Sequence, residues 1–238
     1  MPPPSSPFAQ GYFGRVAAVG LTVEGRPSIW YVLTGRGRAS RQRRATVQRL
    51  AGGAITVEVG ALATAGRGAP SPVSVLHLQP NPPLALAGSG PYMDEAWAAL
   101  SSDAAPPTVM GSILARWGPE PPPYRTPRSA AVLAAAGPSA WVGATVEPEQ
   151  VSVAAVRLTA GRFQCLPTAS GATGATAPIG PAVETELVEI RLGGQTAEEL
   201  AEAAYQLFDP GLIVCAIAAA WDRAAGLWEV AVKNLRQG

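Results

Sequence analysis

Hydrophobic positions cluster in short runs separated by Gly- and Pro-rich punctuation. Phe13 to Val23 is an apolar, strand-like run that ends in the turn chemistry of Val23-Glu24-Gly25-Arg26-Pro27. Ser28 to Thr34 (SIWYVLT) is rich in β-branched and aromatic residues, and the two runs predict a hairpin. Gly35 to Arg44 is too basic for a core and predicts a loop, after which Ala54 to Val59 alternates as a strand. Val75 to Leu78 and Leu84 to Ala87 predict short strands around a Pro-rich turn. Asp94 to Leu100 predicts a short helix. Pro107 to Trp117 predicts another, with proline near its start and Gly118 as its stop. Pro121 to Pro123 prevent regular helix between 119 and 127.

The second half punctuates more clearly. Val151 to Leu158 and Arg162 to Leu166 predict a hairpin around Ala160-Gly161, and residues 168–182 a flexible loop. Glu186 to Leu192 alternates charged and apolar positions, as a half-buried strand does. Thr196 to Phe208 predicts a helix: Thr196 and Glu199 have capping-box spacing, and Ala197, Leu200, Ala201, Ala204 and Leu207 share one face. Leu212 to Ala219 and Leu227 to Val232 predict closing strands. This order lacks the regular alternation of a doubly wound sheet and predicts an α+β fold, with antiparallel sheets and helices packed outside. Residues 1–10 read as a Pro/Ser-rich disordered lead and 11–238 as one domain, without internal repeat or linker.

Composition narrows the chemistry. The chain has 238 residues, 47% hydrophobic and 15% charged, with a formal net charge of +1. That balance excludes wholesale disorder and lacks the basic excess of a non-specific nucleic-acid binder. Cys165 and Cys215 are the only cysteines and His77 the only histidine, so a disulfide framework, a four-cysteine zinc site and a His-rich metal site are excluded. No apolar run is long enough for a membrane-spanning helix, and the N-terminus does not read as a signal peptide, so a cytoplasmic setting is expected.

Six arginines (36, 38, 41, 43, 44 and 49) crowd into 14 positions of this near-neutral chain. Arginine forks match phosphate and carboxylate oxygens, and the neighbouring glycines let backbone approach a ligand, so the segment fits a phosphorylated small molecule. A solvated basic loop and an RNA-contacting patch are the competing readings, the latter with strong salt dependence. Tyr124-Arg125-Thr126-Pro127-Arg128 reads as a rigid polar loop able to hold a ligand, or as an exposed turn. His77 reads as a satisfied strand histidine, Cys165 and Cys215 as core residues, and the six tryptophans as core without stacking-platform spacing.

At these segments the chain resembles the archaeal-type IMP cyclohydrolase family. Gly11-Tyr12-Phe13-Gly14-Arg15 is similar to its opening. Thr34-Gly35-Arg36 followed by Ser40-Arg41-Gln42-Arg43 is similar to its Arg–Ser/Asn–Arg loop. Tyr124-Arg125-Thr126-Pro127-Arg128 is similar to its Tyr-x-Thr-Pro-Arg segment. The motifs keep their order, and Glu184-Thr185-Glu186 with the helix that follows fits the family's second half.

The resemblance implies a four-layer αββα sandwich of the N-terminal-nucleophile-hydrolase type, used without an N-terminal nucleophile. It implies cyclodehydration of a formamido-imidazole-carboxamide ribonucleotide to IMP, with no cofactor and no metal, on a phosphoribosyl-imidazole or purine nucleotide as the small-molecule partner. Self-association is a further expectation. Carried over residue by residue, Arg36 and Arg41 would bind the 5′-phosphate or polarise the formyl oxygen. Tyr12, Arg15 and Ser40 would join them, Tyr124, Thr126 and Arg128 would line the same pocket, and Asp94 or Glu95 would accept a proton. The chain departs from the family where Asn-Gly-x-Gln-Thr-Asp is replaced by Ser89-Gly90-Pro91-Tyr92-Met93-Asp94, and in the basic loop, where a usual Ser is Gly37. Two readings therefore stand: a cyclohydrolase, and a purine-nucleotide-binding homologue without catalysis.

Overall fold

The computed structural model describes residues 6–8, 13–35, 37–61, 72–102, 104–120, 126–147, 150–168 and 187–235. Their elements run β1 (Arg15–Leu21), β2 (Pro27–Thr34), a single helical turn α1 (Arg38–Arg41), β3 (Arg43–Arg49), β4 (Ile55–Ala61), β5 (Val73–Pro80), β6 (Pro83–Gly88), α2 (Tyr92–Leu100) and α3 (Pro106–Trp117). They continue with β7 (Arg128–Ala134), β8 (Ser139–Glu147), β9 (Gln150–Val156), β10 (Arg162–Pro167), β11 (Val188–Arg191), α4 (Ala197–Gln206), β12 (Ile213–Asp222) and β13 (Leu227–Asn234). The fold is α+β, as the element order predicts.

The strands form two antiparallel sheets. One has the order β11-β10-β1-β2-β12-β13, and the other is a meander from β3 to β9. They face each other across one core, with Ala17, Val19, Ile29, Leu33 and Ile217 packing on Val57, Leu76, Leu78, Ala131 and Leu133. The outer face of the six-stranded sheet carries Val16, Ala18, Trp30 and Val32 and is covered by Leu200, Ala201 and Ala204 of α4. The outer face of the seven-stranded sheet carries Leu84, Leu86, Ala130 and Val132, covered by α2 and α3 through Met93, Ala96, Met110, Ile113 and Leu114. Both faces of the central strands are therefore buried. This is why SIWYVLT and LIVCAIAAA read as continuous apolar runs rather than alternating ones. Gly143 of β8 makes room for α3, since a Cβ there would sit 3.1 Å from both Leu114 Cδ1 and Met110 Cε.

Several elements are as the pattern predicts. β1 and β2 pair as a hairpin through Ala18↔Trp30 and its neighbours. The Thr196 hydroxyl caps α4 by accepting from Glu199 N–H, and the Glu199 carboxylate returns the bond to Thr196 N–H. Four readings are corrected. The segments predicted as a hairpin around Ala160-Gly161 do not pair: β9 is the edge partner of β8, and β10 pairs with β1 in the opposite sheet. The basic stretch is not all loop, because Arg43 opens β3, an edge strand whose residues 46–49 are all exposed. Residues 128–147, left without a predicted element, form β7 and β8. Within the lead predicted as disordered, Ser6 donates to the Leu207 carbonyl, and buried Phe8 stacks on Phe208 with ring centroids 4.9 Å apart. Among the described residues, no helix is long and apolar enough to cross a membrane.

Candidate functional site

The topology brings the start of β1, the ends of β2, β6 and β10, and the start of β7 to one end of the sandwich. Arg128 lies opposite Thr145, Gly88 opposite Ala130, and Arg15 opposite Leu33. The Thr34 hydroxyl donates to the Phe13 carbonyl, and Thr168 N–H donates to the Arg15 carbonyl, so β1 is pinned from both sides at this end.

Arg15 continues the inward-facing series of Ala17 and Val19, so its guanidinium reaches toward the seven-stranded sheet. There it meets Glu120, from the turn that leaves α3, at 2.6 Å, with both side chains less than a quarter exposed. The other Glu120 carboxylate oxygen accepts from the Thr126 hydroxyl, and Glu120 N–H donates to the Thr126 carbonyl at 2.9 Å. Burial pushes the Glu120 carboxyl upward, but Arg15, the Thr126 hydroxyl and Arg128 outweigh it and hold it below the usual range. Burial likewise works against the charge of Arg15, yet Tyr31 and Glu120 keep its pKa above the ordinary arginine value.

Two buried phenols flank this pair. Among the described residues the Tyr31 hydroxyl meets no partner at hydrogen-bonding geometry, and burial raises its pKa against the pull of Arg15 and the Ser89 side chain. The Tyr92 hydroxyl donates to the Ser129 carbonyl at 2.5 Å and accepts from Ser89 N–H, and burial raises its pKa to about 12. Both phenols therefore stay protonated at neutral pH. Beyond Tyr92 lies Arg128, 6% exposed, with its guanidinium carbon 5.8 Å from the Tyr92 ring centroid and 5.5 Å from that of Trp117. Gly90 (φ +144°) permits this stack, because a Cβ there would lie 2.9 Å from Arg128 Nη1 and 2.8 Å from the Tyr92 ring.

Of the residues singled out from sequence, Arg15 and Thr126 meet at Glu120, and Arg128 joins them through its field on that carboxylate and its stack on Tyr92. Ser40 sits over Gly35, where a Cβ would come within 2.5 Å of its own, and Arg41 is exposed on α1. Tyr12, Arg36 and Tyr124 lie outside the described residues. The carboxylates expected to accept a proton have partners elsewhere. Asp94, largely exposed, stands 3.1 Å from His77 Nε2. Glu95 pairs with Arg116 and accepts from Trp117 Nε1 at 2.7 Å. His77 is buried, stacks on Trp97 and has Thr56 Oγ1 3.2 Å from Nδ1, so it lies in a strand as predicted. Glu120, Tyr31 and Tyr92 join this cluster but were not among the site residues expected from sequence, where Tyr92 stood only as a departure from the family. The signal for Glu120 was a lone acid between the stop of α3 and a segment with two arginines. For Tyr31 it was a hydroxyl on the inward face of a buried strand. Among the described residues no three His, Cys, Asp or Glu side chains come together as a metal-ligand set.

A two-sheet α+β sandwich with an arginine–carboxylate–tyrosine cluster at one end defines the class. The chain belongs to the family of IMP cyclohydrolase-like proteins, which it matches over residues 12–225. No curated protein matches it.

Proposed function

We propose that the protein cyclises a formamido-imidazole-carboxamide ribonucleotide to IMP, on a sandwich of the N-terminal-nucleophile-hydrolase type and in the cytoplasm. The observation that carries this reading is the Arg15–Glu120–Thr126 cluster beside Tyr31, in a chain of this family. In the reaction the carboxamide nitrogen attacks the formyl carbon. A C–N bond forms, the formyl oxygen takes up a proton as its π bond breaks, and the nitrogen loses one. The resulting hydroxyl then leaves as water with a further nitrogen-bound proton, which closes the C=N bond. Both reacting groups sit on one molecule, so the protein's task is alignment and stabilisation of charge on the formyl oxygen.

Arg15, kept charged and fixed by Glu120, and the protonated, unpartnered Tyr31 hydroxyl are donors of the kind an oxyanion needs. Glu120, held low, is a poor proton acceptor at neutral pH, and its role is to orient Arg15. Arg36, Ser40 and Arg41 are assigned to the phosphate. Tyr12, Tyr124, Thr126 and Arg128 are assigned to the pocket wall.

One observation favours a second reading, a nucleotide-binding homologue without turnover. At two positions where the family carries polar side chains, Tyr92 and Met93 are buried at 1% and 0% exposure in the core between α2 and the sheet. A single experiment separates the readings: purified protein is mixed with the formamido nucleotide and IMP formation is followed by ultraviolet absorbance. Turnover supports the enzyme. Saturable IMP binding without turnover leaves the binder, and neither result removes both.

A further inference from the structure

Arg128 is held in an unusual way for a buried cation. It is 6% exposed, and among the described residues its Nε has no hydrogen-bond partner and no carboxylate oxygen lies within ion-pair distance of it. Two aromatic faces hold it instead, Tyr92 and Trp117. A guanidinium stacked this way keeps its charge and its donors while its position is set by rings rather than by an anion.

The two rings are anchored differently. Tyr92 is locked from within, by its bonds to Ser129 and Ser89. Trp117 is 37% exposed and is held from outside, by the bond from its Nε1 to Glu95 Oε2, while the other oxygen of Glu95 pairs with Arg116. Trp117 is also the last residue of α3, three positions before Glu120. The end of one helix thus sets the ring over Arg128 and the carboxylate on Arg15.

We infer that Trp117 is a positioning residue, anchored by Glu95, that holds Arg128 ready to receive an oxyanion of the bound nucleotide. Glu95 then acts through the indole, not on the substrate. The inference rests on the nucleotide reading given above and adds to it a clamp that none of the matched motifs contains.

The test uses the full chain with IMP as probe, measuring affinity by calorimetry and the Arg128 Nε–H signal by NMR, with turnover of the formamido nucleotide recorded alongside. Trp117→Leu is expected to weaken IMP binding about three- to thirtyfold, the span a desolvated cation–π contact covers. Trp117→Phe, which keeps a ring, is expected to stay within about threefold of the parent. In an Arg128→Leu background, Trp117→Leu is expected to add nothing. If Trp117→Leu does not fold, Glu95→Ala carries the same direction of change, together with loss of the ring-current shift at Arg128 Nε–H. Unchanged affinity in folded Trp117→Leu, or losses that add fully to those of Arg128→Leu, would overturn the clamp while leaving the nucleotide reading intact. A parent protein without IMP affinity or turnover removes both.

Discussion

Arg15 of β1 and Glu120 of the turn after α3 meet at 2.6 Å and tie the six-stranded sheet to the layer outside the seven-stranded one. Among the described residues neither has another ion-pair partner, so each supplies the other's counter-charge while mostly buried.

Glu120→Gln keeps the shape but leaves Arg15 without its counter-charge, and we expect a loss of about 1–3 kcal/mol in urea unfolding. The pH dependence follows from the sign of the shift. The Glu120 carboxyl is depressed in the folded state, so its contribution is present above the unfolded value of 4.5 and is lost as pH falls through the lower folded value. The parent protein should show this acid loss, and Glu120→Gln should show less of it.

His77 acts in the same direction as Glu120 but in a higher pH window. Burial lowers its pKa below 6.5 despite the neighbouring Asp94, so between the folded value and 6.5 the unfolded chain binds more protons. Stability should fall as pH is lowered through that window and level off below it. His77→Gln should flatten the step in thermal melts taken across it.

Gly90→Ala places a Cβ against Tyr92 and Arg128 at a backbone angle that favours glycine. Backbone strain alone costs about 1–3 kcal/mol, and the clash displaces Arg128 as well. We expect lower stability together with weakened IMP binding, seen by melting and calorimetry on the same sample.

Thr196→Ala removes the capping box of α4 and should cost about 1 kcal/mol without altering IMP affinity, because α4 covers the far face of the six-stranded sheet. Arg36→Ala should do the reverse, weakening IMP binding by about 1–3 kcal/mol through loss of a charged hydrogen bond with little change in melting. Equal affinity in a folded Arg36→Ala protein would remove that residue from the phosphate site.

The sequence showed those parts of the fold that local chemistry writes. The β1–β2 hairpin has its turn residues, α4 its cap, and α3 its proline and stop glycine. The strand pairing of β9 and β10 was not legible, because an apolar run records that it is buried and not in which sheet. Residues 157–161 carry the chain from one sheet toward the other although Ala160-Gly161 reads as a hairpin turn. β7 was hidden by its alanines, which lack the β-branched signature, and β3 by the arginines that suit a solvent-facing edge. At the site, Arg15 and Arg128 were visible through the segments that resemble the family, apart from the charge cluster at 36–49. Their organisers Glu120, Tyr92 and Trp117 were not, because each acquires its role only when α2 and α3 pack on the sheet.

Trp117, Gly118, Pro119 and Glu120 form one short corner, entered from a helix through a glycine at φ 56° and stiffened by proline. The two arginines at this end of the sandwich are therefore both governed from one half-buried turn that follows a helix. On the proposed reading, ligand preference becomes a problem of loop redesign centred on Trp117, because Glu120 at the same corner also carries part of the fold's stability.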